Sequence, residues 1–219
     1  MSGDDRLRAE KKSKKPEILA PAGDRASFLA ALAGGADAVY CGLKQFSARM
    51  AAENFTVAEL AGLTRLAHER GVLVYVTLNS LIKPDELDEA GQLVDQLGRY
   101  VKPDALIVQD LGFLSLAAQA GFKGDIHLST LANVSFAAAM RLVRYFSQVT
   151  RAVLPRELSI DEIKAVSEAC PNDLSLEVFV HGALCYGVSG RCYWSSFLGG
   201  RSGLRGRCVQ PCRRIYGQD

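Results

Sequence analysis

The chain has 219 residues, of which 48% are hydrophobic and 23% are charged, a composition that excludes disordered, collagen-like and coiled-coil proteins. Its 26 Lys and Arg against 24 Asp and Glu give a net charge of +2, so the overall charge favours neither a nucleic-acid nor a membrane partner. Six cysteines in this length are too few for a disulfide scaffold. The length fits one α/β barrel or two small domains.

Residues 1–15 are predicted to form a disordered basic arm. Four lysines lie between Lys11 and Lys15, and we expect them to be solvated, with contact to RNA as the alternative. No apolar core of a secretory signal follows Met1, and no run approaches the ~18 apolar residues that a membrane span needs. The chain is therefore predicted to be cytoplasmic, where thiols stay reduced and metal or catalytic roles outrank disulfides.

From residue 16 onward, short apolar runs alternate with amphipathic helical stretches. Runs typical of strands begin near seven positions, namely Glu17, Asp37, Val72, Asp104, Asp125, Thr150 and Leu174. They are mostly apolar throughout, as in parallel sheets that are covered on both faces. Between them the apolar period becomes helical, for example over 57–67 and 87–97. Capping boxes at Thr56–Glu59 and Ser159–Glu162 mark two helix starts.

This alternation predicts an α/β fold, either a (β/α)8-type, TIM-like barrel or a doubly wound open sheet. No GxGxxG motif follows the first strand, and residues with chemical potential follow several different strands, as at the C-terminal face of a barrel. We therefore predict a β/α barrel region over 16–181. Seven strands are one short of closure, and we expect the eighth to lie beyond Asp219.

Residues 182–219 form a separate segment that is rich in glycine and arginine. Between Gly182 and Gln218 there are eight glycines, six arginines and no Asp or Glu. Four of the six cysteines lie here in the pattern C-x6-C-x15-C-x3-C, namely Cys185, Cys192, Cys208 and Cys212. Glycine permits the tight turns that would bring distant thiolates around one metal centre.

Two kinds of metal centre fit these four thiols. Zinc sites of four cysteines usually have two close C-x2–4-C pairs, and the gap of six departs from that spacing. An iron–sulfur cluster tolerates wider spacing, and the arginines would offset its negative charge or hold an anionic substrate beside it. We therefore predict an iron–sulfur cluster, with zinc as the alternative. The other two thiols, Cys41 and Cys170, are predicted to be packing residues.

Several motifs resemble those of the peptidase family U32. The signature is carried by EVFVHGALC at Glu177–Cys185, by GRCYWS at Gly190–Ser195 and by RGRCVQPCR at Arg205–Arg213. Five shorter motifs occur in the family's order, namely LAPAGD at 19–24, FSAR at 46–49, TLN at 77–79, HLST at 127–130 and PRELS at 155–159. The resemblance covers nearly everything from Pro16 to Tyr216.

The resemblance implies a barrel-like fold and two kinds of activity. Some members are described as collagenase-like proteases. Others are oxygen-independent hydroxylation proteins that carry a 4Fe–4S cluster and act on a tRNA uridine, an rRNA cytidine or ubiquinone precursors, with prephenate implicated as the oxygen donor. Cys185, Cys192 and Cys208 match the family's cluster ligands, and the fourth ligand would be Cys212 or a residue outside this chain.

The favoured prediction is an iron–sulfur enzyme that hydroxylates RNA or a quinone precursor. The alternatives are a U32 protease and a non-catalytic, cluster-bearing subunit that needs a partner chain of the same family. A protease needs an activated nucleophile or a metal-bound water. Cys185 and His181 could form a thiolate–imidazolium pair, but a cluster ligand cannot also be the nucleophile. The cluster uses all four thiols and accounts for the arginines, so the sequence favours it.

Eight further residues are predicted to form the site. The candidates for catalysis are Arg49, Asn79, Glu177 and His181, and those for substrate binding are His127, Arg156, Glu157 and Arg191. Most of them end or follow strands, where barrel sites form. The structural alternatives are a turn at Asn79 and barrel salt bridges at Arg156, Glu157 and Glu177. Arg49 and Arg191 are the best anion binders, because a guanidinium binds carboxylate or phosphate through two parallel hydrogen bonds.

Overall fold

The computed structural model describes residues 15–50, 52–143, 145–182 and 185–217. The predicted basic arm, except for Lys15, therefore lies outside the described residues. None of the helices in these ranges combines the length and the hydrophobicity that a membrane span requires.

Seven parallel strands form one sheet in the described part of the chain, and each strand pairs with the next in sequence. They are β1 (Leu19–Ala22), β2 (Ala38–Gly42), β3 (Leu73–Leu78), β4 (Ala105–Val108), β5 (Asp125–Leu128), β6 (Val149–Val153) and β7 (Ser175–Glu177). All seven predicted strands are confirmed. In-order parallel pairing is the topology of a β/α barrel, whereas the strand order of a doubly wound sheet reverses at a switch point.

Helices connect the strands. They are α1 (Arg25–Ala33), α2 (Val57–His68), α3 (Leu87–Gln96), α4 (Gly112–Gln119), α5 (Ala137–Val143) and α6 (Ile160–Glu168), and α7 (Trp194–Gly199) lies in the cysteine-rich segment. Both predicted capping boxes form. Thr56 Oγ1 accepts from the backbone N–H of Glu59 at 3.2 Å, and Ser159 Oγ accepts from that of Glu162 at 3.3 Å. These bonds satisfy amide groups that the first helical turn leaves without partners.

Two apolar layers are separated by the sheet. The larger lies between the sheet and the helices and includes the fully buried Phe28, Leu60 and Phe113. The smaller lies on the opposite face of the strands and contains Ala38, Tyr75, Ala105 and Ile107. Alternate residues of a strand point to opposite faces, so this second set faces the barrel interior.

Contacts across the interior show that the sheet is curled into a half-barrel. Arg151 on β6 donates to Glu17, which precedes β1, at 2.7 Å. Tyr75 on β3 donates to the same carboxylate at 3.0 Å. In a flat sheet, strands five positions apart would be separated by about 24 Å. The sheet must therefore curve to bring β1, β3 and β6 around one carboxylate, and the barrel-type fold is confirmed.

Candidate functional site

The cysteine segment, defined here as residues 185–217, packs on the loops that follow the strands. Its first anchor lies on the loops after β2 and β3. Met50 N donates to the Gly206 carbonyl at 3.1 Å and Leu81 N to the Leu204 carbonyl at 2.9 Å. Arg205 forms an ion pair with Glu86. These loops lie at the C-terminal ends of the strands, the face that carries the active sites of β/α barrels.

The second anchor of the cysteine segment is Ser189, which is 3% exposed. Its N–H and its Oγ each donate to the Glu157 carboxylate at 2.8 Å, and Thr130 Oγ1 donates to Ser189 Oγ at 3.3 Å. The neighbouring Gly190 has φ +71° and lies against the Leu131 carbonyl. Glu157 therefore holds the segment on the barrel, a contact that the sequence did not predict. Substrate binding by Glu157 stays a prediction.

A polar floor, made of Asn79, Gln109 and Ser129, lies at the ends of β3, β4 and β5. Asn79 Oδ1 accepts from the backbone N–H of Ala48 at 2.8 Å, and Asn79 Nδ2 donates to Ser129 Oγ at 3.4 Å. Gln109 is 7% exposed, and its Oε1 has no hydrogen-bond partner among the described residues. Buried acceptors normally have partners, so Gln109 is available to a bound molecule. Gln109 directly follows the apolar strand β4, and this position could have identified it as a site residue from the sequence.

Tyr40 on β2 lies among three of the predicted site residues. Its pKa is raised by burial and by Glu177, while Arg49 and Arg156 act in the opposite direction. These three side chains are therefore within electrostatic range of the Tyr40 hydroxyl. The guanidinium of Arg156 also lies 5.1 Å from the centre of the Phe179 ring. Arg49, Arg156 and Glu177 thus all lie near enough to Tyr40 to act on its charge, whereas the sequence predicts Tyr40 only as part of an apolar strand.

Glu177 takes part in the interior charge network. It accepts from Arg151 at 3.2 Å, the barrel salt bridge considered for it on sequence grounds. Burial raises the pKa of Glu177, and the bond from Arg151 opposes that rise. A catalytic role for Glu177 stays a prediction.

His127 lies deeper in the barrel than its sequence position indicated. It is the third residue of β5, is 2% exposed and packs edge-on against Tyr75, with ring centres 4.7 Å apart. It lines a cavity of about 890 Å³ that also includes Glu17 and Lys102 and lies at the N-terminal ends of the strands. His127 thus faces this cavity rather than the cysteine segment, and substrate binding by His127 stays a prediction. Its two-residue offset from Ser129 places it one layer below the polar floor.

Acid should destabilise the protein through His127. Burial, with the nearby Arg151, lowers the pKa of His127 to about 3, and its Nδ1 has no partner among the described residues. The unfolded chain takes up this proton near pH 6.5 and the folded chain does not, so stability is lost as pH falls below 6.5. The free energy of unfolding should therefore fall by about 2 kcal/mol between pH 6.5 and pH 5.

Urea unfolding at several pH values measures this effect. His127→Phe keeps a flat ring against Tyr75 and removes the titration, so its stability should fall less with acid than that of the unaltered protein. Equal slopes for the two proteins would contradict the assignment, because every other titrating group is common to both.

His181 and Cys185 do not form the pair that the protease alternative requires. Both are exposed, and Cys185 Sγ donates to the Gly187 carbonyl at 3.4 Å. Across the described ranges, no hydrogen bond or ion pair joins His181 to a thiol. The interaction that would activate Cys185 as a nucleophile is therefore not formed in this structure.

The four thiols of the cysteine segment lie in two neighbourhoods. Gly187 contacts Cys185 through its carbonyl, and a methyl group on Gly187 would lie 3.3 Å from Cys192 Sγ. Gln210 N donates to Cys208 Sγ at 3.4 Å and precedes the short 3₁₀ turn Pro211–Arg213, which contains Cys212. The thiols thus fall into two sets along the chain, Cys185 with Cys192 beside Gly187 and Cys208 with Cys212 around the turn. Metal binding by these thiols stays a prediction.

The donor chemistry of these pairs fits a thiolate-bound centre. All four are free thiols, and the N–H donor to Cys208 is the type of contact that tunes an iron–sulfur cluster. Taking only residues that the structure describes, no three His, Cys, Asp or Glu side chains are grouped closely enough to hold a metal ion. Cys41, by contrast, is 1% exposed, and burial raises its pKa to about 12, as expected for a packing residue.

Comparisons with known proteins match nearly the whole chain. Residues 23–218 match the sequence model of peptidase family U32. An uncharacterised protease of Methanocaldococcus jannaschii is 40% identical over 91% of this chain and 49% of the relative. A 23S rRNA 5-hydroxycytidine synthase of Escherichia coli is also 40% identical, over 93% of this chain and 30% of the relative. The chain therefore spans half or less of these curated relatives.

One solved structure supports the fold. A U32 peptidase superimposes with a TM-score of 0.64 and 14% identity, and the match covers 76% of this chain and 69% of that one.

Proposed function

Since the chain is a member of peptidase family U32, we propose that it is an iron–sulfur enzyme that hydroxylates an RNA base without molecular oxygen. The observation that carries the proposal is the cysteine segment. It contributes four free thiols and six arginines without a single acidic residue up to Gln218. Its two anchors hold it at the C-terminal face, above the polar floor. A quinone precursor is the other substrate class that the family resemblance implies.

Cys185, Cys192, Cys208 and Cys212 would hold the cluster in this proposal. Thiolates are soft ligands that select iron–sulfur clusters, copper(I) or zinc over hard cations. A bound cluster supplies one-electron chemistry. The arginines of the segment would balance the negative charge that four thiolates bring.

The chain's own residues would bind and orient the reactants. Gln109 Oε1 is a buried acceptor without a partner among the described residues and would accept from an N–H group on a base edge. Asn79 is held in place by hydrogen bonds with Ala48 and Ser129. It would form a fixed polar surface beside the bound base. Arg49 and Arg156 would hold the carboxylates of an anionic oxygen donor such as prephenate. Tyr40, whose pKa is raised, keeps its proton at neutral pH and would donate it in a hydrogen bond.

The protease alternative has weaker support from the site. The two curated relatives are equally similar to this chain, 40% identical each, so identity does not separate their activities. The geometry of the site gives less support to proteolysis than to hydroxylation. A thiol protease needs its cysteine beside a base, whereas His181 and Cys185 have no hydrogen bond or ion pair between them within the described ranges.

Single cysteine substitutions should separate cluster ligands from packing thiols. Anaerobically purified protein is expected to be brown, with absorbance near ~400 nm and bound iron and sulfide. Cys192→Ser and Cys208→Ser should each lose most of the iron. Cys170→Ser is the matched control, because the Cys170 side chain has a similar intermediate exposure but lies outside the segment, and this variant should keep the iron content of the parent. Zinc in place of iron would contradict the proposal.

Mass spectrometry of nucleosides tests the reaction itself. RNA from a strain that lacks the gene should lack one hydroxylated nucleoside, and the parent gene should restore it where Cys192→Ser does not. A colourless, metal-free protein that cleaves gelatin, and loses this activity on Cys185→Ala, would overturn the proposal in favour of the protease.

A further inference from the structure

We propose that the exposed face of the cysteine segment is a binding surface for single-stranded RNA. Its aromatic side chains would stack on unpaired bases, and its arginines would bind the phosphates between them. The inference rests on the proposed function for its choice of nucleic acid, and it adds the surface and the strandedness of the ligand.

The first observation is the exposure of aromatic side chains in this segment. Tyr186 is 75% exposed, Tyr193 66% and Phe197 88%. Trp194 and Tyr216 are 41% and 57% exposed. Scattered apolar side chains on a surface need no explanation, but a concentration of them marks an interaction site. Five large aromatic groups within one short segment are such a concentration.

The second observation is charge. All 24 Asp and Glu of the protein lie outside residues 182–218, whereas six of its 26 Lys and Arg lie inside. Arg205 is engaged by Glu86 in the first anchor. Arg191, Arg201 and Arg207 are exposed and form no ion pair with any residue that the structure describes. A surface with free guanidinium groups and no carboxylates is complementary to a polyanion.

Together the two observations favour unpaired RNA over a duplex. Aromatic side chains stack on the faces of bases, and those faces are accessible only where bases are unpaired. A double helix would engage the arginines and leave the aromatic groups in water. An apolar protein partner would cover the aromatic groups and bury the arginines without countercharge, which is costly.

The surface is also continuous with the C-terminal mouth of the barrel. Arg207 of the segment pairs through its backbone with Arg49, which follows β2. Arg49 in turn acts on Tyr40 in the barrel interior. A strand bound on the segment would therefore lie at the entrance to the polar floor, where a single base can be turned inward.

Fluorescence anisotropy with a labelled single-stranded RNA oligonucleotide tests this inference. Tyr193→Ala and Phe197→Ala should each weaken binding by roughly 5- to 100-fold, the range for loss of one stacked base. Tyr100→Ala is the matched control, because Tyr100 is also 66% exposed but precedes β4 at the N-terminal face. It should bind as the parent does. A duplex of the same sequence should bind at least 10-fold more weakly than the single strand.

The salt dependence of binding tests the arginines separately. Arg191→Gln should lower the slope of log affinity against log salt by about one, as expected for one lost phosphate contact. Arg70→Gln, an exposed arginine before β3, should leave the slope unchanged. Thermal unfolding and iron content of every variant show whether the segment is intact.

Equal losses of RNA affinity in the Tyr193 and Tyr100 variants would refute the proposed RNA-binding surface. Equal affinity for single-stranded and duplex RNA would refute it as well. The outcome is separable from that of the proposed function. RNA that is bound here but never hydroxylated would refute the function and keep the surface. RNA that is hydroxylated, with unchanged binding in the aromatic and arginine variants, would refute the surface and keep the function.

Discussion

Replacing Gly190 by alanine should detach the cysteine segment from the barrel. The added methyl group would lie 2.1 Å from the Leu131 carbonyl oxygen, a backbone atom that cannot move aside, and Gly190 has φ +71°. The left-handed conformation costs alanine about 1–2 kcal/mol, and the collision adds to that. We expect a total near 3 kcal/mol or more, large enough to undock the segment rather than to unfold the strands beneath it.

Limited trypsin digestion measures this release, because the segment contains six arginines. Cleavage within residues 191–214 should be at least about 10-fold faster in Gly190→Ala. Gly200→Ala is the control: Gly200 also has a positive φ, +62°, but no atom lies within 4 Å of an added methyl group. It carries the conformational cost without the collision, so its segment should stay docked. Equal cleavage of both variants would refute docking at Leu131.

Arg151→Met should destabilise the fold by about 3–5 kcal/mol, because it removes one partner from a mostly buried ionic network. Arg151 donates to Glu17 at 2.7 Å and to Glu177 at 3.2 Å, and its side chain is 16% exposed. Methionine fills a similar volume but leaves both carboxylates without a cation. Urea unfolding at neutral pH measures the loss.

The loss should depend on pH with a defined sign. Burial raises the pKa of Glu177, and the Arg151 guanidinium opposes that rise, so the pKa rises further in Arg151→Met. A carboxyl whose folded pKa is raised contributes stability below its unfolded pKa, and this is lost as pH rises through the folded value. The variant should therefore be less impaired near pH 4.5 than at pH 7. Adding Glu177→Gln should recover part of the loss at pH 7; no recovery would show that the network is not coupled.

The strands were predictable because their physical signal is local. Both faces of β4 (Ala105–Val108) are covered, so all four of its residues are apolar, and such runs stand out in any sequence. The capping boxes are equally local, since Thr56 and Glu59 are three residues apart. Each of these features is decided by its neighbours in the chain.

The site was less predictable because its contacts join distant residues. Tyr40 reads as one more member of an apolar strand, and only the curl of the sheet brings Arg49, Arg156 and Glu177 within its range. His127 is two residues away from the C-terminal layer, which periodicity cannot resolve without the strand's bounds. Glu157 and Ser189 are 32 positions apart, and nothing in either motif indicates that one fixes the other.

The anchoring of the cysteine segment should allow the segment to open locally without global unfolding of the barrel. Most of its anchoring contacts are polar or backbone bonds, and Leu204 and Pro211 are the apolar side chains that it buries. The strands, in contrast, are sealed by a continuous apolar layer. Amides in the segment should therefore exchange with solvent through local opening, at a free energy well below that of global unfolding. In the proposed function, such a local opening would let iron and sulfide reach the thiols while the barrel remains folded.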